Sequence, residues 1–111
     1  MPWFLRLPDG QQLALATATV LGRNPVAPTG SAARPVPVDD PSRSVSKTHA
    51  LLELRAGLPW VIDLHSTNGT TLTNEVGGAV VCEPGTPVPV GDGWLVGLGE
   101  YSVGILRQAA E

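Results

Sequence analysis

Three short polar clusters interrupt a chain that is otherwise apolar and rich in turns: Leu21-Gly22-Arg23-Asn24, Ser44-Val45-Ser46-Lys47-Thr48-His49 and Asp63-Leu64-His65-Ser66-Thr67-Asn68-Gly69-Thr70. Their arginine, lysine, hydroxyl and amide side chains are hydrogen-bond donors of the kind that hold an oxyanion. A guanidinium fork matches two phosphate oxygens, a serine hydroxyl donates a third bond and an ammonium adds a point charge. Each charge-assisted bond is worth roughly 1.5–3 kcal/mol. Taken one at a time these residues have plainer readings. Arg23 is a solvated strand end, Ser46 a turn or cap hydroxyl, and Asn68-Gly69 the commonest signal for a tight hairpin turn. They form a phosphate pocket only if three loops meet at one end of a scaffold.

The scaffold reads as all-β. Apolar runs of four to seven residues are cut by Gly, Pro, Asn or Asp before any helix can form. The best helical stretch, Gln11 to Val20, carries β-branched Thr17, Thr19 and Val20 and reads as two short strands with a bend. Eleven strands are expected, at Trp3–Leu7, Gln11–Ala16, Ala18–Arg23, Val36–Asp39, His49–Leu54, Pro59–Leu64, Thr70–Thr73, Ala79–Cys82, Pro87–Val90, Trp94–Leu98 and Tyr101–Leu106. Many short strands at close spacing predict a β-sandwich of two mainly antiparallel sheets with its loops gathered at the ends. Asp9-Gly10, Ala56-Gly57, Gly77-Gly78, Pro84-Gly85 and Gly91-Asp92-Gly93 supply the turns. Leu5, Leu7, Leu13, Leu15, Leu52, Leu54, Val61 and Leu64 are the expected core. Residues 24–46, rich in Pro, Ala, Ser and Gly, are expected to form a long surface loop with one short strand inside it.

Length and charge narrow the function. A chain of 111 residues, read as one domain over 1–111, suits a binding module better than a large enzyme. Seven Lys+Arg against ten Asp+Glu leave a net charge of −3, which disfavours an extended basic face for nucleic acid. There is no apolar run of 18 residues. A small anion is another matter. Arg23, Arg34, Arg43 and Lys47 lie close together in sequence, with only Asp39 and Asp40 as acids among them. The lone Cys82 excludes an internal disulfide, and the first residues lack the layout of a signal peptide, so a reducing cytoplasm is the expected compartment.

The ordered set Gly22-Arg23, then Ser46-Lys47-Thr48-His49 as Ser-x-x-His, then Ser66-Thr67-Asn68-Gly69-Thr70, resembles the signature of the forkhead-associated (FHA) domain. That family is one of phosphothreonine-binding β-sandwiches, and the resemblance spans nearly the whole chain. It implies that Arg23 and Ser46 hold the phosphate, with Lys47 contributing beside them and Thr67 adding a hydroxyl on the ligand side. Asn68 would bond the peptide backbone, and His49 would fix the binding loop. Gly22 and Gly69 would allow backbone geometries that a Cβ obstructs. Arg43, Ser44 and Ser66 are auxiliary candidates. The implied partner is a phosphothreonine protein or peptide in Ser/Thr kinase signalling, either the kinase or its substrate, with no catalysis, metal or cofactor. Two departures stand out. The interval from Arg23 to Ser46 is longer than usual, with 27–33 as the insertion, and Lys47 replaces a more usual Arg or Asn. Six Arg to one Lys and the abundance of Ala, Gly, Pro and Val suggest a GC-rich bacterial, actinobacterial-like source.

Rival readings carry less. Ser44-Val45-Ser46-Lys47 matches a Ser-x-x-Lys nucleophile pattern, but a loop feeding a strand lacks the helix that pattern requires. His49, His65 and Asp63 suggest a triad or a metal site without ligand spacing. Gly91-x-Gly93-x-x-x-Gly97 misses the dinucleotide pattern. The serious alternative is a scaffold or oligomerisation module of the same fold that needs no phosphate, anchored by an exposed Trp3, Trp60 or Trp94.

Overall fold

The protein is described by a computed structural model covering residues 2–108. Eleven strands form: β1 (Trp3–Arg6), β2 (Gln12–Ala14), β3 (Thr19–Gly22), β4 (Arg34–Pro37), β5 (Ala50–Arg55), β6 (Leu58–Asp63), β7 (Thr70–Thr73), β8 (Ala79–Val81), β9 (Val88–Pro89), β10 (Leu95–Leu98) and β11 (Tyr101–Arg107). They lie in a six-stranded sheet, ordered β2-β1-β11-β10-β7-β8, and a five-stranded sheet, ordered β4-β3-β5-β6-β9. This is the two-sheet sandwich that the short apolar runs predict. Every pairing is antiparallel except β3 with β4. Near the chain ends, β1 runs against β11 with Trp3 opposite Arg107, and the Gln108 amide donates to the Pro2 carbonyl at 3.1 Å.

Alternation places one face of each sheet in the core, which includes Leu5, Leu21, Leu52, Val61, Leu72, Val96, Leu98 and Ile105, each at most 1% exposed. The β5–β6 hairpin turns through Ala56 and Gly57 with φ of 51° and 79°, the left-handed pair of a two-residue turn whose twist matches its strands. Trp3 pins that turn from the other sheet, its indole N–H donating to the Gly57 carbonyl at 3.0 Å. Trp3 is buried and Trp60 and Trp94 half-buried, so none stands fully exposed. Cys82 is a buried free thiol.

Three expectations need correction. The fourth strand begins at Arg34 and not Val36: with Pro35 and Pro37 unable to donate to a ladder, it survives only as an edge strand. Leu54 is 37% exposed. It keeps the inward parity of Leu52 but stands next to the Ala56-Gly57 turn, at the rim of the sandwich; Leu13 and Leu64 are only part-buried. The stretch 24–46 is more than a surface loop. Its first arm lays Ala27 and Ala33 over Val20, Leu51, Ile62 and Leu64 on the outer face of the five-stranded sheet, forming a second, smaller apolar cluster.

These burials set a contrast in stability. Leu52→Ala should cost about 2–5 kcal/mol in urea unfolding, through lost transfer energy and a cavity, whereas Leu54→Ala should cost no more than about 1 kcal/mol.

Candidate functional site

The site begins at the β3–β5 pairing. β3 ends in Gly22, where a Cβ would come within 2.1 Å of the Lys47 carbonyl oxygen, so the two chain segments touch only because this residue is glycine. Across that contact the Arg23 amide donates to the Ser46 carbonyl and the Asn24 amide to the Lys47 carbonyl, each at 3.0 Å. Arg23 and Ser46 are thereby fixed side by side although 22 residues of chain separate them.

His49, fully buried at the start of β5, ties the second loop to the third. Its Nδ1 accepts from the Ser46 backbone N–H at 3.0 Å, which leaves the proton on Nε2 to be donated to the Gly69 carbonyl at 2.9 Å. Burial lowers the imidazole's proton affinity, and it outweighs the Gly69 carbonyl and the nearby Asp63 charge, which act to raise it. Neither ring nitrogen reaches Asp63 or a hydroxyl, so the sequence-level triad of Asp63, His49 and His65 does not assemble. Gly69 holds a φ of +84°, and there the requirement is conformational, because an added Cβ would meet nothing within 4 Å.

The third loop hangs on Asp63, which is fully buried and accepts from the Ser66 amide at 3.1 Å, the Ser66 hydroxyl at 2.5 Å and the Thr70 hydroxyl at 2.6 Å. Burial acts to raise its pKa, but these bonds and His49 prevail and hold it low. Ser66 also accepts from the Gly69 amide at 3.0 Å, so its hydroxyl is spent inside the loop. The Thr67 amide donates to Ser46 Oγ at 2.9 Å, and Asn68 Nδ2 to the Ser44 carbonyl at 2.9 Å. The Ser46 hydroxyl accepts there and keeps its own proton free to donate outward.

Asp40 does for the second loop what Asp63 does for the third. Its carboxylate receives the Ser42 amide and hydroxyl and the Ser44 amide and hydroxyl, all between 2.7 and 3.0 Å. Burial would raise its pKa; the hydroxyl and amide bonds bring it down to about 2. Ser44 Oγ additionally accepts from the Glu100 amide at 2.7 Å, so this hydroxyl also serves the loop. Arg43, inside the same turn, sits at φ 57°, a left-handed conformation that costs a non-glycine residue roughly 1–2 kcal/mol.

The result is a cleft of about 300 Å3 lined by Arg23, Arg43, Ser44, Val45, Ser46, Thr67 and Asn68. No carboxylate lines it. Among the described residues the one ion pair is Arg55 with Glu53, so neither guanidinium is neutralised. Lys47 is exposed and stands outside the lining, and Arg43 supplies the second cation in its place. Sequence reasoning missed Asp40; its signal was an Asp placed to bond amides two and four residues onward. Also among the described residues, no three His, Cys, Asp or Glu side chains are grouped to hold a metal, and no helix is long and apolar enough to cross a membrane.

Loops at one end of an all-β sandwich that present an unneutralised cluster of donors define a class of anion-recognition module. The chain belongs to the FHA domain family, whose model matches residues 19–99. Among solved structures, the FHA domain of human APLF in complex with an XRCC1 bisphospho peptide is 26% identical, with a TM-score of 0.71 over 97% of this chain and 100% of that one. The FHA domain of a Chlamydia trachomatis protein is 19% identical with a TM-score of 0.72, covering 98% and 100%. An FHA domain solved in work on phosphothreonine-dependent interactions is 23% identical with a TM-score of 0.67, covering 99% and 100%. No curated protein aligns significantly with the sequence.

A titration follows from His49. Because its folded-state pKa lies below the ordinary 6.5, the stability it confers is present above pH 6.5 and is lost as pH falls toward the folded pKa. The melting temperature should therefore drop between pH 7.5 and 5.5, and His49→Gln should flatten that drop while lowering the temperature at pH 7.5.

Proposed function

We propose that this domain binds phosphothreonine peptides, without catalysis, through the cleft between Arg23 and Asn68. The observation that carries the reading is the lining: two guanidiniums, a serine hydroxyl with its proton free and an exposed amide converge with no acid among them. A phosphate dianion supplies the acceptors that such a set lacks. Val45, 3% exposed, also lines the cleft and offers an apolar wall to a threonine methyl. That contact is worth about 0.8 kcal/mol, roughly fourfold over phosphoserine. The human APLF domain, which shares this fold, holds a bisphospho peptide. Lys47 lies next to Ser46 and adds an outer positive field to the approaching phosphate.

Residues 1–111 act in this reading as one module whose partner is a Ser/Thr kinase or its substrate in the cytoplasm. Binding is electrostatic at its centre, so affinity falls as salt rises and as pH drops below the phosphate's second pKa near 6.

Calorimetric titration of phosphothreonine peptides with unphosphorylated and phosphoserine twins tests this. Arg23→Ala should weaken binding by about 10- to 100-fold, the value of one charge-assisted bond, with the melting temperature unchanged. If no phosphopeptide binds better than its unphosphorylated twin, the domain is a phosphate-independent scaffold.

A further inference from the structure

The phosphate cleft opens into a trough. A hollow of about 630 Å3 shares Arg23, Arg43 and Val45 with the cleft and runs on past Pro37, Val38, Asp39 and Asp40. Those last four residues also line a groove of about 870 Å3 between the β1–β2 turn and the edge strand β4. Cleft, hollow and groove therefore adjoin in series, each sharing wall residues with the next.

The chemistry reverses along this path. The groove's walls are apolar, with Leu7, Leu13 and Val36 among them, and its carboxylates are Asp9, Asp39, Asp40 and Glu100 against Arg34 alone. Arg34 is partly engaged, its guanidinium donating to the Ala14 carbonyl at 3.2 Å. Asp40 is occupied by Ser42 and Ser44, whereas Asp39 and Glu100 are exposed, and neither forms an ion pair among the described residues. Tyr101, also in the groove, feels three of these acids: burial raises its pKa, and the charges of Asp9, Asp39 and Asp40 raise it further.

A site that is cationic at one end and apolar with an anionic rim at the other fits a ligand of the opposite pattern. Lysine and arginine carry an apolar stem under a charged head, which such a groove accommodates at both levels. An acidic flank would be rejected by the same carboxylates. Resting on the reading that the cleft holds a phosphothreonine, we propose that the trough holds the flanking segment of the same peptide and selects a lysine or arginine in it, stem against Leu13 and Val36 and head between Asp39 and Glu100. An extended peptide advances about 3.3–3.6 Å per residue, so the selected residue lies a few positions from the phosphothreonine and at a fixed one.

The test is a positional scan. A phosphothreonine peptide with alanine flanks is compared with versions carrying one Lys or one Glu at each position from six before to six after, titrated against the wild-type domain and an Asp39→Asn, Glu100→Gln double variant. Lys at one position, or two neighbouring ones, should tighten binding to wild type about two- to fivefold over Ala, and Glu there should weaken it. In the double variant the Lys-to-Ala ratio at that position should fall to about one. A gain spread evenly over all positions would report general attraction to an acidic protein and overturn the proposal. So would a flat scan, or a gain that survives in the double variant. If phosphate dependence persists with a flat scan, the groove alone is misread. If the alanine peptide binds no better than its unphosphorylated twin, the cleft is misread as well.

Discussion

The neutral imidazole of His49 is the tie on which the binding end depends. One nitrogen accepts from the Ser46 amide and the other donates to the Gly69 carbonyl, so a buried ring, together with the Thr67 and Asn68 bonds to Ser46 and Ser44, joins two loops that share no strand pairing. The third participant, Arg23, is joined to Ser46 through main-chain bonds across Gly22. Protonation would place two hydrogens between Nδ1 and the Ser46 amide, breaking the tie in the middle. Burial, by keeping the ring neutral, protects the geometry as well as the core.

Around this tie, two carboxylates do most of the loop-building. Asp40 and Asp63 each collect amides and hydroxyls of their own loop, satisfying backbone donors that no strand pairs. Neither carboxylate lines the cleft. The hydroxyls of Ser44 and Ser66 are consumed in that task, and Arg23, Arg43, Ser46, Thr67 and Asn68 remain on the cleft wall. A cleft whose walls are held this way needs little ordering when a ligand arrives, and avoided ordering is a main source of affinity for small polar ligands.

Much of this was legible in the sequence because it is local. All eleven strands followed from short apolar runs and turn residues, and it was the resemblance carried by Gly22-Arg23, Ser46-x-x-His49 and Ser66 to Thr70 that implied which loops converge. What was not legible depends on contacts between distant segments. Leu54 has the parity of a core residue, and only the position of the sandwich rim exposes it. The packing of Ala27 and Ala33 over Val20 and Leu51 joins residues of weak pattern across a sheet face. Arg43, from the sequence only an auxiliary candidate, lines the cleft where Lys47 does not; it sits in a left-handed turn inside the loop that Asp40 organises, and no hydrophobic period records such a turn.

The pairing of β1 with β11 bears on how such a module is carried. Pro2 and Gln108 are hydrogen-bonded neighbours, so polypeptide entering and leaving the fold does so at one spot. Grafted into a surface loop of a host protein, the domain would ask its host to bridge only the width of a strand pair. A pull on both ends would load the β1–β11 ladder in the manner of a zipper, residue by residue, before force reached the sheet that carries Arg23 and His49.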